Sequence, residues 1–320
     1  MNTVATITRS EKKRIFCWVL PVLLTGLFWL WAYLFPSTHM FVYAVQAIAL
    51  SCPPYMALCW VFWGVILAFL NRRWWYASSL LALFWIGTPD PGGGSGMLIS
   101  VINVNAFSDE ENLLQQELQQ LNSDVLIEIE RRTLEVPLMH RAAHDETLPD
   151  IRPSHLSVVF CKEECLAAVT GQIGSKSMSM PIAMVRIDER ICLLGIHAPP
   201  PLPVDASGMA PYIDYLDERI QKGSLIQDWK VCKKGDGILL MGDLNAVAGS
   251  RPYRRLQSMG LKDIRKRTGI WGSTWPIEGF YLPFPVFRLD HIMVGPSIEI
   301  QSWRSVRISN SDHLGLQVWI

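Results

Sequence analysis

Ile238-Leu239-Leu240-Met241-Gly242-Asp243-Leu244-Asn245 runs from a wholly apolar stretch straight into a polar turn. Four consecutive large apolar side chains leave no polar face. That pattern suits a strand buried on both sides, and Gly242 marks where it becomes a loop. Asp243 and Asn245 stand two apart, so an extended backbone points both the same way. Ser311-Asp312-His313 lies only seven residues from the C-terminus. A second carboxylate–imidazole group arriving from there implies one site assembled from several strand ends. Such an arrangement suits metal-assisted phosphate chemistry.

Upstream of this strand, strand and helix signals alternate. Residues 98–104 are apolar and β-branched, and Ser108 with Glu111 forms a capping box that opens a helix carrying Leu114, Leu118 and Leu121 on one stripe. Further strands are expected at 125–129, 156–160, 166–169, 182–187 and 191–196, the last two joined by the tight turn Asp188-Glu189-Arg190. A helix around Met209, Tyr212, Ile213, Leu216 and Ile220 precedes the 238–241 strand, and strands at 287–294 and 316–320 close the chain. Many strands, hairpins and few helices indicate two packed mixed sheets rather than one doubly wound sheet. There is no internal repeat.

The N-terminal region has a different composition. Between Ile15 and Gly87 the only charged residues are Arg72 and Arg73. Residues 1–88 are expected to form a transmembrane region, with spans at about 15–35, 40–70 and 73–88, since a bilayer-crossing helix needs roughly 20 apolar residues. Pro53-Pro54 either kinks the middle span or divides it. Arg9, Lys12, Lys13 and Arg14 hold the N-terminus in the cytoplasm, and a single middle span returns Arg72 and Arg73 to that side. Three spans then place the remainder on the outer, periplasmic side of the cell (inner) membrane. Residues 89–96, Pro-Asp-Pro-Gly-Gly-Gly-Ser-Gly in their order, read as a short flexible linker, and 97–320 as the globular domain.

That domain holds 23 basic and 27 acidic side chains, a net charge of −4, which excludes a globally basic nucleic-acid binder. Locally, Arg251, Arg254, Arg255, Lys262, Arg265, Lys266 and Arg267 face only Asp263 within one stretch, which is either a solvated helix face or a polyanion contact. Cys161 and Cys165 either close a short turn as a disulfide or stay free, and Cys192 and Cys232 stand apart in sequence. Cys17, Cys52 and Cys59 are apolar fillers of the spans. His140 and His144, four apart, are read as surface residues on a shared helix face.

Polar residues interrupt the domain at strand ends in a fixed order: Asn103 and Asn105, Glu128 and Glu130, His197, Asp243 and Asn245, Asp290, then Asp312-His313. Each fragment alone is a common turn or a solvated loop. Six in order are not. The pieces Ile102-Asn103-Val104-Asn105, Asp124 to Glu130, Gly195-Ile196-His197, Gly242 to Asn245, Arg288 to Ile292 and Ser311-Asp312-His313 resemble the endonuclease/exonuclease/phosphatase superfamily over nearly all of 97–320. The resemblance implies a four-layer α/β sandwich, two packed mixed β-sheets flanked by helices, with the site at one edge. Ile129 stands where the family often carries Gln.

The resemblance also assigns roles. Glu130 is the chief metal ligand, with Asn103 and Asp312 beside it. Asp243 positions or deprotonates the attacking water, and Asn245 donates to a phosphate oxygen. His197 and His313 donate to non-bridging oxygens or the leaving group, and Asp290 accepts from His313. Asn105, Arg251 and Trp275 are placed at the substrate, Trp275 together with Trp271 as surfaces on which bases stack. The cofactor expected is Mg2+, with Mn2+ as a substitute, because oxygen-rich ligands suit a hard cation. The expected substrate is a phosphodiester, first a nucleic acid and alternatively a phospholipid, sphingolipid or inositol-phosphate head group at the bilayer. The lipid alternative draws on the membrane tether and on the apolar segment 280–285. A non-catalytic membrane scaffold ranks last, since no expected ligand is missing.

Overall fold

The computed structural model describes residues 92–104, 111–130, 139–144, 157–163, 165–175, 178–198, 231–232, 235–265, 272–276, 285–309 and 311–320, with positions 24, 27, 30, 31 and 34. The expected spans fall outside these residues, as does the expected helix at 209–220. The exceptions in the spans are Leu24, Leu27, Leu30, Trp31 and Leu34, which are helical and exposed. Among the described residues no helix is long and apolar enough to cross a membrane.

Twelve strands and two helices make up the described part of the domain. The first sheet takes β1 (Leu98–Asn103), β2 (Val125–Ile129), β3 (His140–His144), β4 (Ser157–Cys161), β11 (Ser302–Arg307) and β12 (Leu314–Trp319), in the order β11-β12-β1-β2-β4-β3. The second takes β5 (Ala167–Ser175), β6 (Met178–Arg186), β7 (Ile191–His197), β8 (Gly237–Asp243), β9 (Lys262–Asp263) and β10 (Asp290–Val294), in the order β5-β6-β7-β8-β10-β9. Each sheet has one parallel pair at its centre, β1–β2 and β7–β8, flanked by antiparallel neighbours.

Period-two alternation sorts the side chains into layers. Ile99, Val101, Ile127 and Val159 face Val185, Leu193, Leu239, Met241 and Ile292 across the space between the sheets. On the outer face of the first sheet, Ile102, Leu126 and Phe160 receive Leu114 and Leu118 from α1 (Glu111–Gln120) and Leu121 from the turn that follows it. That is the stripe expected from the sequence. A ten-residue helix is too short to persist alone in water. Burying each leucine contributes about 2 kcal/mol relative to exposure, and this contact is what holds α1. On the outer face of the second sheet, Leu194, Ile196 and Leu240 pack against Tyr253 and Leu256 of α2 (Arg251–Ser258).

Three strands and α2 differ from the sequence expectation. β3 and β11 are edge strands whose charged residues, Arg141, Arg304 and Arg307, hide the alternation and also protect an open edge from pairing. β9 is only two residues long. In α2 a short apolar contact lies among arginines, with a proline in the first turn where a missing N–H costs nothing. His140 and His144 lie in β3, so they share a strand and not a helix. Disulfides join Cys161 to Cys165 and Cys192 to Cys232.

The glycine-rich stretch has a second role within the described residues. A Cβ on Gly96 would stand 1.9 Å from the Ile320 carbonyl oxygen, and one on Gly94 would stand 2.7 Å from the Trp319 Cβ. Met97 and Ile320 exchange backbone hydrogen bonds of 3.1 Å. Residues 92–97 are thus laid along the start of β1 and the end of β12, and residues 89–91 lie outside the described part.

Gly195 sets how closely the sheets approach, because a Cβ there would meet Ile127 Cδ1 at 2.6 Å and Cγ2 at 2.8 Å. We expect Gly195→Ala to destabilise the domain by about 1–3 kcal/mol through overpacking, read as a lower denaturation midpoint with an unchanged slope.

Candidate active site

Strand register assembles the polar residues. His197 on β7 is paired with Asp243 on β8, and Asp243 is paired with Asp290 on β10, so three of the residues form one row across the second sheet. Directly opposed residues share a face of a sheet. In the first sheet Asn103 ends β1 and Glu130 follows β2, while Asp312 and His313 immediately precede β12, which runs antiparallel to β1. All these positions fall at the same edge of the sandwich.

Two backbone features aim the side chains. Strand alternation would send Glu130 to the same face as the fully buried Glu128, away from the inter-sheet space. A left-handed backbone at Glu130 (φ 64°) breaks the alternation. Its Oε1 lies 3.1 Å from His197 Nε2. Gly242 has φ 129°, and a Cβ there would stand 2.2 Å from the Ile196 carbonyl oxygen, so no other residue lets β8 lie against β7 at this point.

The Asp243 carboxylate is the hub. Oδ1 accepts the backbone N–H of Asn245 at 2.7 Å. Oδ2 accepts Asn103 Nδ2 at 3.3 Å and Asn245 Nδ2 at 3.2 Å, and faces His197 Nε2 at 3.6 Å and His313 Nε2 at 3.7 Å. Asn245 Nδ2 also donates to the Ala198 carbonyl at 2.7 Å, so both its hydrogens are engaged. On the other side, His313 Nδ1 is 2.8 Å from Asp290 Oδ2, which turns Nε2 toward the open site. Ser311 Oγ donates to the Asn103 carbonyl at 2.7 Å and accepts the His313 N–H at 3.1 Å, tying the last loop to the end of β1.

Several residues that support this site were given no role by the sequence. Thr274 is fully buried, and its Oγ1 accepts the N–H groups of Leu289 and Asp290 at 3.1 and 3.2 Å. Asp263 accepts from Tyr253 Oη at 2.9 Å, Arg288 Nη2 at 3.0 Å and the ring of His291 at 3.3 Å, while His291 Nε2 reaches the Ala246 carbonyl at 2.7 Å. Arg288 also donates to the Arg265 carbonyl. Arg265 corrects the sequence expectation. Taken there as part of a solvated or polyanion-binding stretch, it has no exposed surface and donates to the carbonyls of Asp290 and Gly272 and to Ser305 Oγ, with Trp303 under its guanidinium. Lys262 and Arg255 are exposed. Arg251 is the first residue of α2, and its side chain lies outside the description, as do Asn105, Trp271 and residues 280–284.

Trp275 and Asp312 are joined: the indole Nε1 donates to Asp312 Oδ2 at 3.0 Å, and the ring sits 6.2 Å from that of His313. The indole is half-buried at the rim beside both residues.

Crowding of carboxylates shifts their titration. Burial, then the neighbouring Asp243, pushes Glu130 up to about 8, although His313 opposes. Burial likewise raises Asp243 to about 7, against His313 and with Asp290 adding to the rise. Burial alone would lower His313, but Asp290 and Asp243 overcome it and hold the imidazole up at about 10. Asp290 is pulled the other way: burial would raise it, and the charge and hydrogen bond of His313, with the Thr274 hydroxyl, hold it below its ordinary value. Asp263 is likewise held low against burial, chiefly by Arg288.

A divalent cation fits this chemistry. Asn103 Oδ1 is buried and meets no donor among the described residues, so an acceptor at the site awaits a positive partner. Glu130 and Asp312, near enough to act on one another electrostatically, bring carboxylates to the same edge, so that the three together offer an all-oxygen donor set suited to a hard cation. Among the described residues one group of three acidic or imidazole side chains lies close enough to share an ion, and it is a different one: atoms of Asp243, Asp290 and His313 lie within 4.8 Å of one another. The short His313–Asp290 bond engages two of those three, and His197 and Trp275 engage Glu130 and Asp312, so what favours the Glu130 side is the open Asn103 Oδ1 acceptor.

Residues 74–313 match the Endonuclease/Exonuclease/phosphatase family. No curated protein matches the chain. Among solved structures, a mannosyl-6-phosphatase of Bacteroides thetaiotaomicron aligns with TM-score 0.51 at 15% identity, over 69% of this chain and 98% of that one. A 3' phosphatase from Neisseria bound to product DNA hairpin aligns at 0.52 and 13%, with the same coverage. An AP endonuclease from Archaeoglobus fulgidus aligns at 0.50 and 15%, again over 69% and 98%.

Protons and a cation compete for the same carboxylates. Glu130 and Asp243 have folded-state values raised above the ordinary 4.5 and 3.8, so the metal-free fold binds extra protons between those values and about 7–8, and loses stability as pH rises through that window. The raised His313 adds stability that is complete below its ordinary 6.5 and is lost as pH rises through about 10. We therefore expect Tm of the metal-free protein to fall from pH 5 to pH 9. The rise in Tm on adding magnesium should be larger at pH 9 than at pH 6, measured by thermal denaturation in matched ionic strength.

Proposed function

The chain belongs to the Endonuclease/Exonuclease/phosphatase family, and from that premise we propose that it is a membrane-anchored, divalent-metal-dependent phosphodiesterase acting on nucleic acid. The hydrolysis of phosphoester bonds follows from the family. The observation that carries the finer reading is the convergence of Asn103, Glu130, His197, Asp243, Asn245, Asp290, Asp312 and His313 at one sandwich edge, with the Asn103 Oδ1 acceptor left open.

Each group has a chemical task in hydrolysis. Glu130, with Asn103 Oδ1 and Asp312, would hold Mg2+ or Mn2+, which neutralises charge on the transferring phosphoryl group. Asp243, raised to about 7, takes a proton from water near neutral pH, and its Oδ1 stays fixed by the Asn245 N–H. His313 is held as an imidazolium by Asp290, and its Nε2–H is available to a non-bridging oxygen or to the leaving group. His197 Nε2, between Glu130 and Asp243, supplies a second donor on the opposite side. Asn245 gives up its bond to Asp243 when a phosphate oxygen arrives.

Nucleic acid is favoured by Trp275, half-buried beside His313 and able to stack a base, with Asn105 and Arg251 assigned to the backbone. The similar structures include a 3' phosphatase bound to product DNA hairpin and an AP endonuclease, which adds to that choice. Anchoring rests on residues 1–88, uncharged over 15–35 and 40–70. The positive-inside pattern puts the domain on the periplasmic side of the inner membrane, and the Cys161–Cys165 and Cys192–Cys232 disulfides suit an oxidising compartment.

The full chain in detergent, supplied with magnesium, should cut DNA or RNA, and a chelator should abolish the reaction. Glu130→Gln and His313→Gln should each slow it by about 10²–10⁴-fold without unfolding the protein. Wild type that cuts no nucleic acid, nucleotide or phospholipid would refute the enzyme assignment. A C-terminal alkaline phosphatase fusion should be active in cells, and an inactive one places the domain in the cytoplasm.

A further inference from the structure

We propose that the catalytic edge faces away from the bilayer that anchors the chain, so that the enzyme acts on nucleic acid free in the aqueous compartment and not on the head groups of its own membrane. This rests on the anchored phosphodiesterase reading above and narrows its substrate.

Strand polarity supplies the geometry. β1 begins at Leu98, next to the incoming chain, and ends at Asn103, inside the site. The strand is six residues long, so its two ends lie about 17 Å apart. β2 and β8 end at the site in the same sense, while β10 and β12 start there and run back. The opposite edge holds the point of entry: Met97 paired with Ile320, Ser95 bonded to Gln301, and the 295–301 loop. The chain therefore enters at one pole of the sandwich and the site opens at the other.

The tether is too short to reverse this. Gly94 and Gly96 are packed on Trp319 and Ile320, leaving residues 88–92 as the connection to the last expected span. Five residues reach about 17 Å at full extension. A domain of this size has a radius of gyration of about 17 Å, hence a diameter of about 40 Å. Turning the site onto the same bilayer would require the tether to run fully extended along the flank of the sandwich, past the roughly 17 Å of β1 and the loops beyond its end. The Trp275 indole, half-buried beside His313 and Asp312, then meets what arrives from solution, and an aromatic face there suits an unstacked base.

The orientation can be read without relying on activity. In a full chain with Cys17, Cys52 and Cys59 replaced by alanine, a single fluorophore is placed at Glu299→Cys, in the loop at the entry pole, or at Ala248→Cys, in the turn after Asn245. Energy transfer to acceptor head groups in proteoliposomes should place Ala248→Cys about 20 Å further from the bilayer than Glu299→Cys. Equal or reversed distances overturn the proposal. Flotation of the vesicles reports separately on the anchor, and a chain that does not float overturns both. With the same vesicles, magnesium should support cutting of added single-stranded DNA without head-group release. Head-group release from the carrier bilayer at a comparable rate would overturn the orientation. A chain with the expected distances and no cutting of DNA would overturn only the assignment of nucleic acid.

Discussion

The register of β7, β8 and β10 is the constraint on which the site depends. It lines up His197, Asp243 and Asp290 on one face, and a slip of a single residue would turn each of them to the other. Gly242 holds that register, because any side chain there would strike the Ile196 carbonyl. The Asn103–Asp243 bond then links the first sheet to the second at the same edge. With that bond made, the geometry of Glu130, Asp312 and His313 follows from strand ends whose positions the two sheets already determine.

Burying so many polar groups is costly unless each is satisfied. Arg265 shows how the cost is met: its guanidinium is fully buried, yet donates to two carbonyls and a hydroxyl and lies over Trp303. One of those carbonyls belongs to Asp290, so this cation holds the backbone of the residue that orients His313. Thr274 grips the same residue from the other side through its backbone N–H. Asp263 gathers Tyr253, Arg288 and His291 one strand away. Removing one partner from such a cluster leaves an uncompensated buried group, which typically costs about 3–5 kcal/mol.

Much of this was legible in the sequence because the signals were local. The apolar run before Gly242 and the two-residue spacing of Asp243 and Asn245 define a strand end without reference to anything else. The stripe of Leu114, Leu118 and Leu121 is likewise a local period. What stayed hidden was set by tertiary contact. Arg265 sits in a run of cations in sequence, and only the fold shows that it points inward. β11 carries Arg304 and Arg307 because it is an edge, so its pattern is that of a loop. The left-handed turn at Glu130 cannot be read from its neighbours, because strand alternation places that side chain on the wrong face.

The charge balance of the site implies an order of events. Glu130, Asp243, Asp290 and Asp312 converge on a region where, among the described residues, the rings of His197 and His313 stand beside the acids and Arg265 lies deeper, and burial and mutual repulsion already raise two of the acids. A phosphodiester brings a further negative charge. At a separation near 4 Å and an effective dielectric of about 20, one such repulsion amounts to roughly 4 kcal/mol, more than two powers of ten in affinity. Protonation of Glu130 or Asp243 would relieve it, but a protonated Asp243 no longer accepts a proton from water. On the proposed reading, a divalent cation held at the Glu130 side would remove the repulsion and leave Asp243 free to act. It would then bind before the substrate, which would make a receptor this acidic compatible with an anionic ligand.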